Sequence, residues 1–409
     1  MLIVQKFGGT SVANLERIRS AGQRVLKTRE AGHQVVVVLS APAGETDSLL
    51  KLAREFSEHP DPRECDSLVS LGEQKSVALL ALYLKSQQIP CISLTASQIP
   101  IITDVDHGKA RILNIGVERI KKELSQNKIV IIAGFQGITE EGETTTLGRG
   151  GSDTSAVAVA AALKADLCEI YTDVDGIYTA DPKTVPDPKL LKKISYEEML
   201  EMADSGAKVL QTRSVELAAR HRVPLVVRSS FNDTQGTEVV GEDESLEKIL
   251  VAGITLNKQE SKIAIRRIPS VEAPCGEGVL AKFFAPLAEA GINVDMIVEN
   301  LGGDGTSDLA FTVAKEDLRK TLRLAEAVAK RLGAGKVEAA SDIAKISVVG
   351  LGMRTHAGVA HRVFQILADL GVSVQMVSTS EIKISFVVPS ESAEKVIQSL
   401  HRVFGLGGN

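Results

Sequence analysis

The stretch Thr146-Leu147-Gly148-Arg149-Gly150-Gly151-Ser152-Asp153-Thr154-Ser155-Ala156 gathers the residue types that bind anions. Its glycines let a ligand approach the backbone closely, and Arg149 adds a planar fork suited to a carboxylate. Residues 156–163 are an almost unbroken apolar, alanine-rich run, so the loop leads into a helix that Ser152 or Asp153 can cap. A helix N-terminus carries unpaired N–H groups and partial positive charge, which favours an anion. The plainer reading is a glycine-rich loop ahead of an ordinary buried helix, but a second such place occurs in the chain. Residues 2–7 read as a strand, followed by Gly8-Gly9-Thr10-Ser11 and by helical periodicity over 12–31. Lys6 stands just ahead of that turn, where its ammonium can reach a phosphate held on the amides. The turn lacks the Gly-Lys-Ser/Thr ending of a P-loop and the third glycine of a dinucleotide fingerprint. Two anion-binding helix starts imply one site gripping two anionic groups.

The elements that must position these residues follow from the alternation of apolar runs. Strands are expected over 2–7, 35–40, 89–94, 129–134, 168–172 and 224–228, and helices over 12–31, 66–87, 109–126, 153–165, 195–203 and 213–221. Such alternation predicts an α/β fold with a mostly parallel sheet covered on both faces. Ligands of such sheets bind beyond the carboxyl ends of strands, where Lys6, Ser40, Gly134 and Thr172 fall. Residues 229–247 are polar and acidic and read as a boundary without folded structure. Beyond it lies an internal repeat at a constant offset of 80 residues: Phe284 matches Phe364, Leu287 Leu367, Gly291 Gly371, Val294 Val374 and Met296 Met376. Each copy reads as a small β-α-β-β module.

The 409 residues, 44% hydrophobic, suffice for two or three domains. A net charge of −5, 3% aromatic residues and no tryptophan argue against nucleic acid as a partner. Cys65, Cys91, Cys168 and Cys275 lie far apart, which disfavours structural zinc or a disulfide framework and fits a reducing compartment. No apolar run approaches a membrane span, so a cytoplasmic protein without a membrane partner is expected.

The chain resembles the aspartate kinases of the amino acid kinase family over essentially its whole length. The motifs that carry the likeness are Lys6-Phe7-Gly8-Gly9-Thr10-Ser11-Val12, Ser70-Leu71-Gly72-Glu73-Gln74, Ala133-Gly134-Phe135-Gln136-Gly137, the Gly148 to Ala156 stretch, Tyr171-Thr172-Asp173-Val174-Asp175-Gly176 and Gly206-Ala207-Lys208-Val209-Leu210. The resemblance implies a three-layer αβα sandwich over residues 1–230, a linker at 231–249, and two ferredoxin-like ACT modules at 250–340 and 341–409. It implies ATP-dependent phosphorylation of the β-carboxylate of L-aspartate, the step that feeds lysine, threonine and methionine synthesis. By the same likeness Ser40, Thr46, Glu73, Arg149, Gly150, Gly151 and Ser152 hold aspartate, and Lys6, Arg149, Asp153 and Lys208 are catalytic. The nucleotide falls to Lys6, Phe7, Gly8, Gly9, Thr172, Asp173, Tyr178, Asp181, Pro182, Lys183 and Lys208, with Mg²⁺ carried mainly on the ATP phosphates and no dedicated metal site. A homodimer through residues 250–409 is expected. An amino-acid effector, lysine and/or threonine, is expected near Asn293, Val294, Asp295 and Glu299 in one copy, and Val359, Ser373, Val374, Ser380 and Glu381 in the other.

The chemistry suits the residues independently of the likeness. A substrate carboxylate is already an anion at neutral pH, so phosphoryl transfer to it needs positive charge and positioning, not a general base. Lys6, Arg149, Lys208 and the two helix starts supply that charge. Glu73 is a carboxylate in a site otherwise built for anions, and the ammonium of an amino acid explains it; the alternative is a solvent-facing place on the helix near Ser70. Two competing functions are another amino acid kinase, acting on glutamate, carbamate or a nucleoside monophosphate, and a catalytically silent amino-acid sensor. Glu73 with Arg149 favours aspartate, and retention of Lys6, Asp153 and Lys208 argues against silence. Departures from the family pattern are Gln211-Thr212 in place of His-Pro, Pro100 in place of glycine, and ACT turns without proline at Cys275-Gly276-Glu277 and Thr355-His356-Ala357.

Overall fold

The computed structural model describes residues 1–207, 209–242, 249–269, 278–302, 305–356 and 358–408; Lys208, Cys275, Gly276, Glu277 and Ala357 lie outside them. The chain divides into two compact units. The first comprises Met1–Tyr178, Leu190–Asp204 and Lys208–Leu246, and the second Thr179–Lys189, Ser205–Ala207 and Glu247–Asn409.

In the first unit, β1 (Leu2–Phe7), α1 (Leu15–Glu30) and β2 (Gln34–Leu39) are followed by α2 (Glu45–Arg54), α3 (Pro62–Val69) and α4 (Leu71–Ser86). Then come β3 (Cys91–Leu94), β4 (Ile101–Thr103), β5 (Ile112–Ile115), α5 (Glu118–Ser125), β6 (Ile129–Ala133), β7 (Gln136–Ile138) and β8 (Thr144–Thr146). The unit closes with α6 (Gly151–Leu163), β9 (Leu167–Thr172), β10 (Lys193–Ser195), α7 (Tyr196–Asp204), α8 (Thr212–His221), β11 (Leu225–Ser229) and β12 (Thr237–Val240). The eight-stranded sheet runs β10-β12-β11-β9-β1-β2-β6-β3, parallel throughout except where β12 meets β11. A second, four-stranded sheet has the order β5-β4-β7-β8.

The continuous Val-Val-Val-Val-Leu of β2 requires cover on both faces. On one face Ile18, Ala21 and Val25 of α1 and Val77, Leu80 and Leu84 of α4 close over Phe7, Val35, Val37, Leu39 and Ile131. Their alternates Val4, Val36, Val38 and Ile132 are buried as well. The alanine-rich α6, buried along almost its whole length, packs against β1, β2 and β9. Its small side chains allow that close approach.

Three expectations change here. Residues 112–115 form strand β5 and not the first turn of a helix: Ile112, Ile115 and Ile120 fit helical spacing, but β-branched side chains ahead of Gly116 favour extended backbone. The single helix expected over 66–87 is two, α3 and α4, which meet at Ser70. Within the acidic stretch 229–247, Thr237 and Val239 are fully buried in β12, a strand too short to stand out among its charged neighbours.

The second unit contains β13 (Gly253–Asn257), β14 (Glu260–Pro269), α9 (Val279–Glu289), β15 (Val294–Leu301), β16 (Thr306–Ala314), α10 (Leu318–Leu332) and β17 (Val337–Ala340). It continues with β18 (Ile343–Val349), α11 (Val359–Asp369), β19 (Met376–Thr379), β20 (Lys383–Pro389) and α12 (Ala393–Val403). One sheet has the order β15-β16-β14-β17 and the other β13-β18-β20-β19. One place in the second sheet is taken by β13, which falls inside the 250–340 range expected for the first module, so the two copies interleave along the chain. The repeat partners Met296 and Met376 meet in one buried cluster with Ile343 and Val387. Among the described residues no helix is long and apolar enough to cross a membrane.

Candidate active site

Strands β9, β1, β2 and β6 are neighbours in the sheet and end side by side at Thr172, Phe7, Leu39 and Ala133. The loops that leave them carry most of the expected site residues. Gly8 donates its N–H to the Tyr171 carbonyl at 3.1 Å, and the Ser40 N–H reaches the Phe7 carbonyl at 3.1 Å. A side chain at Gly8 would stand 3.4 Å from Lys6 Nζ, and one at Gly9 only 2.9 Å from the Ala41 carbonyl oxygen. Gly8 therefore keeps open the space beside the Lys6 ammonium, and Gly9 lets the turn lie close against Ala41 and Ala43. That ammonium is itself buried and paired with Asp153 Oδ1 at 2.5 Å. Asp153 lies inside the first turn of α6, while the N-cap position is Gly150 in left-handed conformation (φ 71°) without a side-chain cap. Neither Ser152 nor Asp153 caps the helix, because Asp153 is turned to Lys6. At the start of α6 the Gly151 N–H donates to the Gly148 carbonyl at 2.9 Å and the Asp153 N–H to the Gly150 carbonyl at 3.0 Å.

The loop before α6 needs its glycines. Gly148 has φ 78°, and a side chain on Gly150 would overlap Gln211, with Cγ only 1.7 Å away. Gln211, where the family pattern has histidine, thus packs directly on this glycine loop. Arg149 between these glycines is exposed, whereas Gly151 and Ser152 are buried. Ser152 touches the Gly134 turn, since a side chain on Gly134 would come within 3.0 Å of it.

Glu73 sits in the first turn of α4 at 2% exposure, which removes the solvent-facing alternative. Its Oε1 accepts the Ala41 N–H at 2.9 Å, while Oε2 is buried without a partner. Burial pushes the carboxyl up to about 7, partly opposed by the backbone hydrogen bonds. Gly72 permits this placement: a side chain there would lie 2.6 Å from Ala41 Cβ. An unpartnered buried carboxylate oxygen is a place for a cation, and an ammonium fits it. Ser40 and Thr46, the latter on α2, are half-buried.

At the end of β9, the Thr172 carbonyl accepts from the Ser230 N–H at 2.8 Å and from Ser230 Oγ at 3.0 Å, and Ser11 Oγ reaches Ser230 Oγ at 2.9 Å. Sequence reasoning missed this chain of hydroxyls, which ties the Gly8–Gly9 turn to Thr172. Asp173 is exposed, whereas Asp175 is engaged by Asn232 Nδ2 at 2.6 Å and by the Tyr178 hydroxyl at 3.3 Å. Asp181, Pro182 and Lys183 are exposed and belong to the second unit. Lys208 lies outside the described residues.

In the second unit Asn293, Glu299, Ser373 and Ser380 are exposed, Val294 and Val374 half-buried and Val359 buried. Asp295 is held in an ion pair by Lys345, whose buried ammonium also reaches Glu260 Oε1 at 2.6 Å. Lys345 carried no signal in the sequence. Ser380 and Glu381 lie in the turn after β19 and not on a strand, and Glu381 Oε2 stands 3.4 Å from Arg354 Nε.

This architecture, a parallel sheet with glycine turns at its carboxyl edge and a tandem repeat later in the chain, agrees with comparison to known proteins. The amino acid kinase family matches residues 1–229, and an ACT domain matches residues 346–404. An aspartate kinase of Pseudomonas putida is 49% identical over 406 residues, covering 99% of this chain and 98% of its own. The aspartokinase of Pseudomonas aeruginosa is 48% identical over 407 residues, with 99% and 98% coverage. Among solved structures, E. coli aspartokinase III in complex with aspartate and ADP (R-state) superposes with a TM-score of 0.82 at 28% identity, covering 98% of this chain and 99% of that one. The chain belongs to the amino acid kinase family, in its aspartate kinase branch, with ACT modules following the kinase unit.

Proposed function

We propose that this protein transfers the γ-phosphoryl group of ATP to the β-carboxylate of L-aspartate, giving ADP and 4-phospho-L-aspartate, the first step toward lysine, threonine and methionine. The observation that carries the reading is a buried carboxylate with one unpartnered oxygen, Glu73, in the same unit as two anion grips, at Gly8–Gly9 and at the start of α6. Glu73 holds the substrate ammonium, and Arg149 with the Gly150-Gly151-Ser152 turn holds its carboxylate groups, assisted by Ser40 and Thr46. Lys6 faces the transferring phosphoryl group, and Asp153 fixes its ammonium. Because the attacking oxygen is already anionic, these residues orient and neutralise and do not abstract a proton. Phe7, Gly8, Gly9, Thr172, Asp173 and Tyr178 belong to the nucleotide side. Asp173, the exposed carboxylate there, suits a Mg²⁺ ion carried on the ATP phosphates.

E. coli aspartokinase III has also been solved with lysine and aspartate in a T-state. By analogy residues 250–409 take an amino-acid effector, lysine and/or threonine, and form a homodimer, with Asn293, Ser373 and Val374 at the turns and Val294 and Glu299 on the strand that receive it. The buried free thiols Cys91 and Cys168 suit a reducing cytoplasm. An ATP-dependent hydroxamate assay with L-aspartate, L-glutamate and no acceptor tests the reaction. Hydroxamate with L-aspartate alone is expected; product with L-glutamate, or none with either, overturns it.

A further inference from the structure

We propose that Asp66 is a positioning residue that sets the distance between Glu73 and Arg149. The inference rests on the reading of those two residues as the clamp on aspartate. Asp66 lies on α3 at 2% exposure, immediately before the helix that carries Glu73. Its Oδ2 accepts from His107 Nδ1 at 2.8 Å, the Gly108 N–H at 3.0 Å and the Thr146 N–H at 3.1 Å. Its Oδ1 accepts from the Thr146 hydroxyl and again from the Gly108 N–H at 3.1 Å. Thr146 is the last residue of β8, two positions ahead of Gly148.

One buried carboxylate thus joins the helix pair of Glu73 to the strand end that becomes the Arg149 loop. Burying a charge is costly unless donors surround it, and the donors here come from the elements whose spacing matters. The opposite side of the loop is fastened by Arg213 of α8, which donates to the Leu147 carbonyl at 2.7 Å and to the Ala110 carbonyl at 2.9 Å. The Ala110 N–H closes the arrangement on the Thr146 carbonyl at 2.9 Å. Gly148 lies so near the Gly108 carbonyl that a side chain there would be 2.9 Å from it. A shift of residues 107–110 or of Thr146 therefore moves the arginine loop relative to Glu73.

The test compares the full-length variants Asp66→Asn, Thr146→Val and Thr146→Ser with Glu73→Gln and Arg149→Ala in steady-state kinetics for both substrates. D66N keeps the size of the side chain but replaces one acceptor oxygen by a donor. T146V loses the hydroxyl and keeps the backbone N–H, whereas T146S retains both. D66N and T146V are expected to raise KM for aspartate about tenfold or more, as misplacement by a fraction of an ångström does. KM for ATP should stay at its wild-type value, and T146S should keep aspartate affinity near wild type. A purely structural role would lower Tm and the active fraction while leaving both KM values unchanged. Folded D66N and T146V with wild-type KM for aspartate, beside raised values for E73Q and R149A, overturn the positioning role and leave the clamp standing. Unchanged KM in E73Q and R149A overturns the clamp itself. If D66N fails to fold, the T146V and T146S pair decides.

Discussion

Replacing Glu73 by glutamine should weaken aspartate binding and at the same time flatten the dependence of stability on pH. Glu73 is held from 4.5 up to about 7 because its carboxylate is buried and only one oxygen has a partner. For an acid whose folded value is raised, the folded state binds the proton more tightly than the unfolded chain. Its stabilising contribution is therefore present at low pH and is lost as pH rises from the unfolded value through the folded one. A tenfold change in equilibrium is worth about 1.4 kcal/mol, so wild-type protein should lose roughly 2–3 kcal/mol from this group between pH 5 and pH 8. Glutamine has no charge to bury and its carbonyl can still accept the Ala41 N–H. Urea unfolding of both proteins at pH 5 and pH 8, without substrate, reads the difference between them. In the kinetics, E73Q should raise KM for aspartate about ten- to hundredfold, the worth of a charge-assisted hydrogen bond, with ATP saturation unchanged. Wild-type KM for aspartate should also rise as pH falls below about 7, where Glu73 takes up a proton. Equal pH slopes of stability for the two proteins would refute the reasoning.

Lys6→Ala should lower kcat by on the order of a hundredfold or more, since a preorganised charge is lost from the transition state; retention of half the turnover rules that role out. Because Lys6 is paired with buried Asp153, the same change should cost stability, and adding Asp153→Asn should restore Tm but not turnover. Arg149→Ala, at an exposed position, should raise KM for aspartate about ten- to hundredfold with little change in Tm; a selective loss of ATP affinity would mean the two grips are assigned in reverse. Lys345→Met leaves Glu260 and Asp295 without their shared cation and should destabilise the protein by about 3–5 kcal/mol in chemical unfolding, as removal of one partner from a buried ion pair does. An unchanged midpoint would show that the triad contributes nothing.

The glycine turns, Lys6 and the run into α6 were legible in the sequence because their meaning is local. A strand end, a glycine turn and a helix start lie close together along the chain, and backbone geometry fixes what they can bind. The repeat was legible for the same reason: Phe284 with Phe364 and Met296 with Met376 keep their register at a constant offset. Short strands were not, since Thr237-Glu238-Val239-Val240 owes its burial to β11 and β10, its neighbours in space. The pairing of Asp153 with Lys6 was hidden because a carboxylate at a helix start has a good local use as a cap, and Lys6 stands on a strand far away in the chain.

Composition and spacing by themselves determined the fold class, the two glycine turns ahead of helices and the tandem modules, all of which depend on periodicity and on residue type over short distances. Only the tertiary structure decided which charges meet. It buried Glu73 beside the Ala41 amide and left its second oxygen unpartnered, gathered five hydrogen bonds from three residues on Asp66, and set Lys345 between Glu260 and Asp295. Those outcomes depend on desolvation, and how far a side chain is removed from water is set by residues that packing, not sequence order, brings around it.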